Sequence, residues 1–201
     1  MLKLSGRDAQ VLPCTSIFAR DNINIDIGKG DYIVVNYMEN GGHYTFGQKI
    51  SSTKWYNNFS KIVEKLEPYG RVIAACHDKK EMQIAEKIAP NIEKYILPNN
   101  YMEYMRFYSR ARFGIVNRVH AGFMMASFGR PCAVIGNDSR ALMMKNLQLP
   151  TYFVEDVNSV LIDTIIHDLL EQEDSYRSII EEIRVKARTS YTEKITKALY
   201  L

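Results

Sequence analysis

The alternation of short apolar runs with helical stretches is what most limits how this chain can fold. Asp31–Tyr37, Arg71–Cys76, Tyr95–Leu97, Phe113–Val116, Pro131–Ile135 and Thr151–Val154 are brief and largely β-branched or apolar, the signature of strands. Between them lie stretches with helical spacing. Ser51-Ser52-Thr53 opens one that carries Trp55, Phe59, Ile62, Val63 and Leu66 on one face. Asp78 with Glu81 three residues on has the form of a capping box for the next. After the fifth run, Leu142, Met143 and Leu147 are expected on the inner face of a further helix. Strands that alternate with helices in this way predict a Rossmann-like, doubly wound α/β fold. Its sheet has about six strands, mainly parallel, flanked by helices and joined by right-handed crossovers.

The predicted organisation is an arm or linker over residues 1–30, the α/β domain over 31–173 and a C-terminal helix over 174–201 packing on it. That last helix carries Tyr176, Ile179, Ile180, Ile183 and Ala187 at helical spacing. A chain of 201 residues, 46% hydrophobic and 24% charged, is large enough for one domain with a sizeable core. The net charge of +3 suits an anionic ligand and gives no reason to expect nucleic acid. No run is apolar enough to span a membrane and no secretory signal is evident, so a cytoplasmic location is expected. Cys14, Cys76 and Cys132 are far apart and odd in number, which reads as reduced thiols. There is no CxxC or HExxH, so no metal is expected.

Folds of this kind bind ligands outside the carboxyl ends of the strands, where the strand order reverses. With the order 3-2-1-4-5-6, the turns after the first and fourth strands would face each other there. The fourth run ends in Asn117-Arg118-Val119-His120, followed by a helical pattern. An arginine at a helix N-terminus can hold an anion beside the backbone N–H groups, and a histidine two residues on can move a proton. Arg118 and Asn117 are therefore candidate ligand-binding residues, and His120 a candidate catalyst. Gly42 and His43, in the turn after the first strand, would form the opposite wall. His77 after the second strand and Arg140 after the fifth complete the set. Each has a simpler reading: an ion pair for Arg118, a buried helical position for His120, a solvated loop for His43, and N-caps for Asp78 and Asp138.

The order of motifs carries a resemblance. Arg118-Val119-His120, an Ala/Gly-rich helix, Gly129-Arg130-Pro131, a strand and the polar turn Asn137-Asp138-Ser139-Arg140 together resemble the C-terminal half of the polysaccharide pyruvyl transferases. Cys76-His77-Asp78 also fits, as does Leu12-Pro13-Cys14-Thr15-Ser16, with Thr15 in place of the second proline of a Pro-Cys-Pro segment. The resemblance covers roughly residues 11–157. It implies one half of a two-domain, GT-B-like enzyme of cell-surface or exopolysaccharide biosynthesis. The reaction implied is transfer of pyruvate from phosphoenolpyruvate to a pair of sugar hydroxyls as a ketal, with no cofactor beyond that donor substrate. Arg118 and His120 would then bind phosphoenolpyruvate, with His120 as acid or base. The implied partners are a glycan acceptor, whose lipid-linked form would bring the chain near a membrane, and a second copy or an N-terminal domain to complete the cleft. Two alternatives stand beside it: a GT-B glycosyltransferase domain for a nucleotide sugar, and a non-catalytic half-enzyme that serves as an interaction module.

Overall fold

In the computed structural model, which describes residues 14–42, 49–145 and 148–199, six strands form one parallel sheet. They are β1 (Tyr32–Asn36), β2 (Val72–Cys76), β3 (Glu93–Ile96), β4 (Ala111–Val116), β5 (Cys132–Gly136) and β6 (Thr151–Phe153), in the order β3-β2-β1-β4-β5-β6. This is the order on which the expected facing of the turns after the first and fourth strands depends. β1 and β4 lie side by side, with Val34 opposite Gly114 and Asn36 opposite Val116. Every residue of β1, β2 and β5 is buried, as a parallel sheet covered on both faces requires. β3, at the sheet edge, is partly exposed, which is why its apolar signal in the sequence is weak.

The helices are α1 (Ser52–Leu66), α2 (Lys79–Ile88), α3 (Tyr101–Ser109), α4 (Val119–Ser127), α5 (Leu142–Lys145), α6 (Ser159–Glu171) and α7 (Tyr176–Leu199). They divide between the two faces of the sheet. On one face α1, α2 and α6 bury Trp55, Phe59, Ile88, Ile162 and Ile166 against Ile33 and Val35. On the other, α3, α4, α5 and α7 bury Tyr108, Phe123, Met144, Tyr176 and Ile180 against Tyr32 and Val34. Alternate residues of β1 feed the two cores, as the period-2 pleat dictates. Side chains fix where several helices begin. Ser51, Asp78, Asn100 and Asn158 each accept a backbone N–H in the first turn of α1, α2, α3 and α6.

The inner face of α5 differs from the expectation. Met144 is fully buried, whereas Leu142 and Met143 are 53% and 40% exposed; Leu147 lies outside the described residues. The cause is local geometry. Leu142, Met143 and Met144 donate to carbonyls three residues back, at 3.1, 3.0 and 3.0 Å. The chain enters α5 through these tight i→i+3 bonds, and the one-turn helix that follows leaves Ala141 and Met144 facing inward. On α7, Tyr176, Ile180 and Ala187 are buried while Ile179 turns outward.

Residues 15–22 form a 3-10 turn, Thr15–Asn22, that packs on the α4 side of the sheet. Ile17 is fully buried there, and the Arg20 N–H donates to Ser127 Oγ at 3.0 Å. Asp21 pairs with Arg184 and Arg188 of α7. Among the described residues no helix is long and apolar enough to cross a membrane. Cys14, Cys76 and Cys132 are all free thiols, and burial pushes Cys76 up to about 12 and Cys132 higher still.

Candidate functional site

Three adjacent strands end in asparagine at the carboxyl edge. Asn36 closes β1, Asn117 follows β4 and Asn137 follows β5. All three are buried. Asn36 Nδ2 donates to Ala75 O at 2.9 Å, and its Oδ1 accepts the Arg118 N–H at 3.1 Å. Asn117 Oδ1 accepts the Met38 N–H at 2.8 Å, and its Nδ2 donates to Ile135 O at 2.6 Å. These amides satisfy backbone groups where the strands diverge and the ladder stops. They lock the start of α4 and the turn after β1 into one frame. Asn117 was expected as a ligand contact; it lines the cleft, and both ends of its amide hold backbone.

Arg118 is the N-cap residue of α4, and among the described residues no side chain caps this helix, in contrast to α1, α2, α3 and α6. An uncapped N-terminus presents backbone donors and the positive end of the helix dipole. The Arg118 guanidinium reaches across to α2. Its Nε donates to Glu81 Oε1 at 3.0 Å, and Nη2 makes a second bond to the same oxygen. The other Glu81 oxygen accepts the His77 N–H at 2.7 Å and lies 3.2 Å from His77 Nδ1. Burial raises the Glu81 pKa, but the hydrogen bonds from His77 and Arg118 outweigh it and hold the carboxyl down at about 2. Glu81 thus stays ionised and orients the arginine. The expected capping box is half formed: Glu81 N–H donates to Asp78 Oδ1 at 2.8 Å, while the Glu81 side chain passes the cap and takes His77 and Arg118.

The cleft in front of α4 is lined by Met38, Gly42, Arg118, His120, Asn137 and Arg140, together with Asn117. Of the residues singled out in the sequence, the fold therefore brings together Gly42, Asn117, Arg118, His120 and Arg140. His120 is exposed on the first turn of α4. The Arg140 Nε rests on Asp138 at 3.0 Å, and Asp138 Oδ1 also accepts the Arg140 N–H at 2.9 Å, which steadies the turn into α5. His77 does not line the cleft; it acts on it through Glu81, with its ring edge-on to Tyr104 at 6.2 Å. His43 lies outside the described residues. Glu81 and Asn137 were not singled out as site residues. In the sequence Glu81 looks like an ordinary capping residue and Asn137 like a turn residue.

A larger cavity of about 480 Å³, against about 120 Å³ for the edge cleft, lies between the 15–22 turn and α7. Its charges, Arg20, Asp21, Glu181, Arg184 and Arg188, pair with one another. The edge cleft is smaller, but it joins an uncapped helix N-terminus to charged side chains at the switch point. Among the described residues, no three His, Cys, Asp or Glu side chains gather where they could hold a metal ion.

No protein-family model matches the chain, and no curated protein matches it in sequence. Solved structures share its fold. MnaA of S. aureus, in a structure with UDP, is 19% identical over 85% of this chain and 48% of its own, with a TM-score of 0.56. The E. coli heptosyltransferase WaaC, in a structure with ADP, is 16% identical over 73% of this chain and 46% of its own, with a TM-score of 0.51. WaaG, a glycosyltransferase involved in lipopolysaccharide biosynthesis, is 15% identical over 90% of this chain and 52% of its own, also at 0.51. This chain spans about half the length of each. The likeness shows the fold: a Rossmann-like α/β domain with glycosyltransferases among its structural neighbours.

Proposed function

We propose that this chain is the donor-binding half of a GT-B-like transferase of glycan biosynthesis, and that its donor is a nucleoside diphosphate sugar held at the carboxyl edge of β1, β4 and β5. The observation that carries the reading is the uncapped N-terminus of α4, flanked by Arg118 and facing a cleft at the switch point. Backbone N–H groups of the first turn and the helix dipole take the phosphate, and Arg118 adds a cation whose orientation Glu81 sets. In this reading His120 exchanges the proton of the attacking hydroxyl. Support by fold comes from neighbours whose structures contain UDP and ADP.

A second reading rests on Arg118-Val119-His120 itself, the motif that resembles the pyruvyl transferases. Phosphoenolpyruvate would place its phosphate on α4 and its carboxylate on Arg118. Two sugar hydroxyls would add to the enol carbon, the methylene carbon would take a proton from His120, and phosphate would leave.

Calorimetric titration separates the two. We expect UDP and UDP-glucose to bind the wild-type chain, and Arg118→Ala to weaken both by about tenfold or more. Binding of phosphoenolpyruvate in their place would move the assignment to pyruvyl transfer. If neither class of donor binds, the donor-site reading is wrong and a non-catalytic interaction module takes its place.

A further inference from the structure

Asn137 differs from its two neighbours at the strand ends. Asn36 and Asn117 engage both ends of their amides with backbone. Asn137 is 1% exposed, and neither Oδ1 nor Nδ2 has a hydrogen-bond partner among the described residues. A buried amide left unpaired is destabilising, and an apolar side chain of similar size would fill the space without that cost. The residue lines the cleft at the N-terminus of α4. Gly42 lies over it so closely that a Cβ there would come within 2.0 Å of Oδ1 and 3.1 Å of Nδ2. Only a residue without a side chain can pack against this amide.

We propose that Asn137 is the hydroxyl-reading residue of the donor site. With the phosphate on the first turn of α4, two adjacent sugar hydroxyls enter beneath the Gly41–Gly42 turn. One donates to Oδ1 and the other accepts from Nδ2. The chemistry of the amide selects this class of group. Phosphate and ionised carboxylate only accept, and would leave Oδ1 unpaired, whereas a hydroxyl pair supplies both a donor and an acceptor. Both amide atoms are shielded in the ligand-free chain, so the Gly41–Gly42 turn lifts as the sugar enters. The inference rests on the donor-site reading above and names the part of the donor that Asn137 recognises.

The test uses the whole chain and two variants, Asn137→Ala and Asn137→Leu, with UDP-glucose and inorganic pyrophosphate as probes. Pyrophosphate carries the charge and no hydroxyl pair. In Asn137→Ala the ratio of UDP-glucose affinity to pyrophosphate affinity should fall about tenfold. Asn137→Leu should melt at a higher temperature than the wild type without ligand, because it removes the unpaired amide. An unchanged affinity ratio overturns the Asn137 assignment and leaves the donor site standing. So does a lower melting temperature for Asn137→Leu, which would mean that the amide serves the ligand-free fold. A wild type that binds neither probe, or binds phosphoenolpyruvate alone, removes the nucleotide-sugar reading and this subsite with it.

Discussion

Glu81 joins two elements that are distant in sequence: it sits on α2 and holds the arginine that begins α4. Its carboxyl titrates at about 2 in the fold against an ordinary value of 4.5. Burial opposes that shift, and the bonds from His77 and Arg118 overcome it. The sign follows directly. The unfolded chain takes up the proton first as pH falls, so the stabilisation is complete above 4.5 and is lost as pH falls through about 2. Its size is on the order of 3 kcal/mol at neutral pH. Glu81→Gln should therefore be less stable than wild type in urea unfolding at pH 7, and the gap should narrow at pH 3 and below. A gap independent of pH would rule out the ionised pair. Arg118 and His120 were legible as candidates because a strand end followed by a helix start is a local pattern. The partner of Arg118 was not, since nothing in the spacing of residues 78–81 indicates a cation from another helix.

At the scale of elements, α4 is bare at one end and firmly closed at the other. The Arg130 N–H donates to Met125 O at 2.9 Å and the Gly129 N–H to Ala126 O at 2.8 Å, the paired bonds of a Schellman stop. Gly129 has φ +67°, and a Cβ there would lie 2.8 Å from Arg177 Cγ of α7. Gly129→Ala should cost about 1–2 kcal/mol through the left-handed backbone alone, more if Arg177 cannot move. The urea midpoint reads this, and an unchanged midpoint would show that the stop relaxes freely. Gly129 as a helix stop was readable from sequence, as were the Ser51 and Asp78 caps, because caps depend on residues within one turn. The inward face of α5 was not readable, because the tight i→i+3 turn that leads into this short helix sets which side chains face in.

For the molecule as a whole, the sheet is sandwiched between two cores, and the 15–22 turn belongs to one of them. Ile17 is fully buried with Phe123 and Tyr176 in the same core, although the sequence around it has no periodicity. Ile17→Ala should lower global stability by about 2–5 kcal/mol and shift a single cooperative thermal transition. Loss of a separate early transition, with the main one unmoved, would show instead that the turn docks on an independently stable domain. The sequence alone determined the strands, most of the helices and the mainly parallel, doubly wound class of the sheet. These follow from periodicity and capping, which act over a few residues, and from the handedness of crossovers. Only the tertiary structure decided that Glu81 holds Arg118, that Asn36 and Asn117 hold backbone while Asn137 holds nothing among the described residues, and that Gly42 covers that amide. Each depends on residues 18 to 95 positions apart meeting at one edge, and no local pattern encodes that meeting.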